Sequence, residues 1–117
     1  MADTDTTLAD LLGHVTMFVS ERDWEPFHTP RNLSAAIAIE AAELMERFQW
    51  LSDDRAADAM EEAAEREAVA DELADVMIYC LSLANTLDVD VSAAILQKLE
   101  RNRRRFPAEQ WRGRAGR

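Results

Sequence analysis

Apolar residues recur at helical spacing in four stretches of this chain. Leu8, Leu11, Leu12, Val15, Phe18 and Val19 keep the rhythm of a single helix face and predict a first helix, capped by Asp5 or Thr6. A second stripe, Leu33, Ile37, Ala41, Leu44, Phe48 and Leu51, predicts a helix over 33–50. Between them "WEPFHTPRN" reads as a loop, because Pro26 and Pro30 restrict the residues before them. A third, long helix is expected over 57–86: its first half, "EEAAEREAVADE", is polar, and the stripe Val69, Val76, Cys80, Leu83, Leu87 comes after it. Ser52 or Asp53, in the turn after the second helix, is the expected cap of the third. A fourth helix covers 92–105 and stops before Pro107. Phe18, Phe48 and Phe106 are assigned to the core. With three glycines, three prolines and abundant alanine, the chain reads as all-α. The expected organisation is one helical domain over 1–107 and a basic segment, 108–117, with no packing pattern.

Composition narrows the partners. At 117 residues the chain suits one core that gains from association. Thirteen basic against 23 acidic residues give a net charge of −10, which argues against a nucleic-acid partner, although seven arginines fall within 101–117. The single cysteine, Cys80, excludes an internal disulfide and suits a reducing cytoplasm. The polar, acidic start predicts no signal peptide, and no apolar run is long enough for a membrane span. A cytoplasmic protein without membrane contact is the expectation.

Charge placement then raises a question about chemistry. Glu40 and Glu43 sit beside the second stripe, and Glu72 and Asp75 repeat that three-residue spacing in "DELADVMIYC", in nearly the same phase to their own stripe. If the stripes pack together, four carboxylates converge, and such anions repel unless a hard cation sits among them. Oxygen ligands without histidine or cysteine favour Mg²⁺ or Mn²⁺. A single such pair would be an ordinary solvated helix face; two in phase favour the metal. Glu61, Glu62, Glu65 and Glu67 read as a solvated face, with Glu65 on the same side as Glu72. Lys98 (the only lysine), Asn102 and Arg105 share a face of the fourth helix, which suits either phosphate oxygens or a basic helix end set against the dipole. Trp24, Phe27, His28, Trp50 and Tyr79 either stack on a nucleobase or plug the core.

E-x-x-E on one helix and E-x-x-D on the next, with 28 residues between Glu43 and Glu72, resembles the all-α nucleoside triphosphate pyrophosphohydrolases of the MazG type. The blocks "ERDWEPFHTPRNL", "ELMERFQW", "DELADVMIY" and "KLERNRRRFP" resemble their dCTP pyrophosphatase branch, across most of 21–107. The resemblance implies a four-helix bundle-like protomer assembling as a homodimer or a dimer of dimers. It implies Mg²⁺-dependent cleavage of a deoxynucleoside triphosphate, dCTP or a C5-modified dCTP, to the monophosphate and pyrophosphate. By position, Glu40, Glu43, Glu72 and Asp75 would hold Mg²⁺, Lys98 and Asn102 would hold phosphates, and Trp24, Trp50 and Tyr79 would surround the nucleoside, with His28 and Arg31 in the matched loop. Glu43 or Glu40 would act as general base. One departure stands out: the histidine of the family's first helix falls on Val15, one step from His14. A broad or dUTP-preferring relative, and a helical module that binds nucleotide or metal without turnover, are the rival readings; the intact set of four carboxylates favours an enzyme.

Overall fold

The computed structural model describes residues 1–116, and all regular structure among them is helical. Helix α1 is a single turn, Ala2–Asp5, and α2 spans Leu8–Glu21. The cap of α2 is Thr7, not Asp5 or Thr6. Its side chain accepts from the Asp10 backbone N–H (3.1 Å) while the Asp10 carboxylate accepts from the Thr7 N–H (2.9 Å), so two otherwise orphaned donors are satisfied at once. After α2 the chain reverses through Asp23, at φ 53°, a left-handed conformation that aspartate tolerates better than most residues. A 3₁₀ turn, Glu25–Phe27, leads to α3, Pro30–Glu46. Pro30 thus begins the helix expected to start after it: at the first helical position its missing N–H costs nothing, and Thr29 caps it by accepting from Asn32 N–H (3.1 Å). A turn over 47–51 ends this stretch, so α3 stops four residues short of Trp50.

The long third helix is two helices, α4 (Asp53–Ala59, capped by Ser52) and α5 (Ala63–Leu87). Between them Met60, Glu61 and Glu62 donate to the carbonyls three residues back. Asp58 faces Glu61 and Glu62, and Glu61 faces Glu65, at i+3 and i+4, where like charges oppose a continuous helix. Helix α5 is the centre of the first compact unit, Met1–Leu87: α3 lies along it, and α2 packs on it as well. Val15 and Val19 of α2 and Leu81 of α5 form a buried cluster, with Leu8 and Leu12 against it, and Leu33 is 2% exposed. Asn85 donates to the Leu12 carbonyl (3.2 Å), Thr86 to that of His28 (3.3 Å), and Asn32 to that of Phe27 (3.0 Å), which pins the first loop to both long helices. Phe18 is not core as expected. It is 48% exposed and meets the Trp24 ring edge-on, while Val15 and Val19 of the same helix take the places against Leu81.

The second unit, from Asp88 on, holds α6 (Val91–Arg105) and the one-turn α7 (Ala108–Trp111). Asp90 caps α6 by accepting from Ala93 N–H (3.0 Å). The basic segment is not without pattern: Trp111 meets Phe106 edge-on at 4.9 Å, and Arg105 and Arg114 stand over the Phe106 and Trp111 rings.

Candidate active site

Four residues of α5, Glu72, Asp75, Tyr79 and Ser82, succeed one another at spacings of three, four and three, and so share a single helix face. Across from the first of them α3 brings Glu40 and Glu43. Carboxylate oxygens of Glu40, Glu43 and Glu72 lie within 4.8 Å of one another. Glu40 and Glu72 are half-buried and Glu43 is exposed. One oxygen of Glu40 and one of Glu72, Oε2 in each, are buried with no hydrogen-bond partner among the described residues. Hydrogen bonding to Glu40, and then the charge of Glu40, hold the Glu43 carboxyl above its ordinary pKa. Burial first, and then the charge of Glu43, raise that of Glu72. Orphaned acceptor oxygens and crowded like charges are what a hard divalent cation relieves, and an all-oxygen donor set suits Mg²⁺ or Mn²⁺ chemically. These residues fit a metal.

Asp75 stands apart from the three-glutamate group. It is exposed, its charge is felt at Glu72, and its side chain borders the next feature along the helix. That feature is a cavity of about 700 Å³ lined by Phe18, Trp24, His28, Asp75, Tyr79 and Ser82 among others. Trp24, His28 and Tyr79 make a ladder of rings, with 6.5 Å between successive centroids and tilts of 30° and 34°; Phe18 meets Trp24 edge-on at 5.7 Å. His14 and Val15 both reach the cavity lining, His14 exposed and Val15 buried. Trp50 does not join the ladder: it sits in the turn after α3 and is 86% exposed.

Two residues beside the glutamates escaped the sequence reading. Arg47 and Glu46 line an open cavity of about 490 Å³ with Glu43 and Glu72. The Arg47 guanidinium pairs with Glu65 of α5 at 3.6 Å and draws the Glu72 carboxyl slightly the other way from its acidic neighbours. The signal was present: Arg47 is the one base in the second half of the α3 stretch, four residues after Glu43 and seven after Glu40. Glu65, singled out by its phase, is its partner. Arg31 lies exposed in the first turn of α3. In the second unit, Lys98 and Asn102 border a shallow groove with Val91, Ile95 and Leu99, whereas the Arg105 guanidinium lies 4.9 Å from the Phe106 ring.

The all-α chain thus sets clustered glutamates that fit a metal one turn from a ring-lined cavity. The chain belongs to the MazG-like family, whose model matches residues 35–115. It is 42% identical over 111 residues to dCTP pyrophosphatase 1 of Rattus norvegicus and 44% identical over 104 residues to that of Homo sapiens. These alignments take in 95% and 89% of this chain but only 65% and 61% of those proteins, so the chain spans less than two thirds of their length. Among solved structures, a pyrophosphatase from Archaeoglobus fulgidus superposes with a TM-score of 0.80 at 38% identity, covering 86% of this chain and 92% of that one.

Proposed function

We propose that this chain is a Mg²⁺-dependent pyrophosphohydrolase that converts a deoxynucleoside triphosphate, dCTP or a C5-modified dCTP, to the monophosphate and pyrophosphate. The observation that carries this reading is the succession on one face of α5: a carboxylate cluster, then Asp75, then a cavity walled by a ladder of tilted rings. The names of its relatives, dCTP pyrophosphatase and pyrophosphatase, support it.

Glu40, Glu43 and Glu72 would hold the cation, with Asp75 one turn on as the fourth ligand. A bound divalent cation supplies charge neutralisation for the phosphates and makes water a better nucleophile near neutral pH. Trp24, His28 and Tyr79 stack on the base and fix the nucleoside end. Lys98, Asn102 and Arg105 contact phosphate oxygens, lysine as a point charge and arginine as a fork. Glu43 or Glu40, whichever is not fully engaged by the cation, takes the proton of the attacking water. Pyrophosphate leaves as the good leaving group that an anhydride provides.

The activity is assigned to residues 1–107, with the basic stretch 108–117 outside it. Exposed Leu73 on α5, next to Met77 and Ile78 at the rim of the ring-walled cavity, makes an apolar surface that supports a homodimer or homotetramer. No single helix among the described residues is long and apolar enough to cross a membrane, and the lone free cysteine agrees with a cytoplasmic setting.

The test is a panel of dCTP, 5-methyl-dCTP, dUTP, dTTP, dATP and CTP at one Mg²⁺ concentration, scored for pyrophosphate against orthophosphate. Pyrophosphate release led by the dCTP pair is expected. Orthophosphate as product defeats the reaction, while a lead of about tenfold (about 1.4 kcal/mol) for dUTP or a purine defeats only the choice of base.

A further inference from the structure

Ser82 lies one turn past Tyr79 on the face of α5 that carries Glu72 and Asp75. It is 4% exposed, and its Oγ has no hydrogen-bond partner among the described residues. A hydroxyl inside a helix ordinarily donates to the carbonyl four residues back, as Thr16 does to Leu12 at 3.0 Å. Ser82 makes no such bond. A buried hydroxyl left unpaired loses the hydrogen bonds it makes in water, and a fold keeps one where something else completes it.

Ser82 borders two cavities. One, of about 320 Å³, is lined also by Asn85 and Thr86, but those side chains already donate to the carbonyls of Leu12 and His28. The other is the ring-lined cavity of Trp24, His28 and Tyr79. Ten residues separate Ser82 from Glu72, about 15 Å along the helix axis, which is the reach of an extended nucleoside triphosphate from its phosphates to the edge of its base. Asp75 and Tyr79 occupy the turns between. Stacking on rings binds every base and selects poorly, so selection falls to the few polar groups around the stack.

We propose that the Ser82 hydroxyl is the contact for the polar edge of the bound base, accepting from the 4-amino group of a cytosine held against the ring ladder. This rests on the nucleotide reading above and names a base-edge contact within it. A hydroxyl both donates and accepts, so Ser82 completes its own bonding when the base arrives, accepting from the 4-amino group and donating to the adjacent ring N3.

The experiment compares dCMP with the deoxynucleoside monophosphate of 2-pyrimidinone, which lacks the 4-amino group, by calorimetry on wild type, Ser82→Ala and Ser82→Cys. Ser82→Ala should weaken dCMP about tenfold and the analogue by a smaller factor, because dCMP loses both hydrogen bonds and the analogue only the one to N3. Free Ser82→Ala should melt at or above the wild-type temperature, since an unpaired buried hydroxyl has gone. If the alanine variant fails to fold, Ser82→Cys, which keeps the volume and only a weak acceptor, reports the same split. Equal losses for both nucleotides, or no loss for either, overturn the assignment. Wild type that shows the split yet releases no pyrophosphate from any triphosphate keeps the Ser82 contact and fails the enzyme reading. Wild type that binds neither nucleotide overturns both.

Discussion

Glu72 is the carboxylate most exposed to conflict: burial, Glu43 and Asp75 all press it toward its neutral form, and only Arg47 opposes them. Replacing it with glutamine keeps the volume and removes one anionic ligand. Glu72→Gln should abolish turnover at saturating Mg²⁺ with an unchanged helical circular-dichroism spectrum, and should raise the melting temperature of the metal-free protein because repulsion falls. Wild-type rates in this variant would remove Glu72 from the site. The raised pKa values of Glu43 and Glu72 also fix the sign of a pH effect. Both groups hold their proton more tightly folded than unfolded. Their contribution to stability is therefore fully present below the ordinary glutamate pKa and is lost as pH rises through the raised values. Melting in EDTA should show a temperature that falls with rising pH across that window, and less steeply in Glu72→Gln. Saturating Mg²⁺ should reverse the slope, because ligands must ionise to bind it. A metal-free melting temperature that rises through the window would contradict the clustered geometry.

At the level of elements, the caps do much of the placing. Thr29 starts α3 immediately after His28, so it sets the direction from which His28 enters the ring ladder. Thr29→Ala should cost about 1 kcal/mol of stability, read as a shift in the urea midpoint without a change in slope. An unchanged midpoint would mean that Pro30 alone suffices to start the helix. The pairing of α3 with α5 was legible in advance, because Leu33, Ile37 and Leu44 on one and Val69, Val76 and Leu83 on the other keep an unbroken period of 3.6. From that pairing the meeting of Glu40, Glu43 and Glu72 followed by phase alone. The break at Met60–Glu62 was hidden, since alanine and glutamate are both strong helix formers and propensity outvoted the repulsion of neighbouring acids. Phe18 misled for a similar reason: period places a residue on a face, but which neighbour that face meets is decided by the loop that folds over it. Trp50 lies outside the ladder because α3 ends at Glu46, and a turn obeys no periodicity. Arg47 went unread since its importance lies in where Glu65 ends up, across a helix pair, and not in its own spacing.

For the whole molecule the net charge of −10 and the apolar surface of α5 act in opposite directions on association. Leu73 and Met77, one turn apart and each half exposed, are a greasy strip that a lone protomer leaves in water. Sedimentation should find a dimer or tetramer, and Leu73→Lys should shift the distribution toward the monomer, with a monomeric wild type ruling the assembly out. The three tryptophans meanwhile occupy three unlike settings. Trp24 stands in the ring ladder, Trp50 is in water, and Trp111 lies against Phe106. Light absorbed by the chain is thus reported from three separate places, and only one of them borders the cavity proposed for the base. In a Trp50→Phe/Trp111→Phe protein the remaining emission belongs to Trp24. A nucleobase stacking there quenches it, which gives the molecule a built-in optical gauge of occupancy that needs no dye, no label and no turnover.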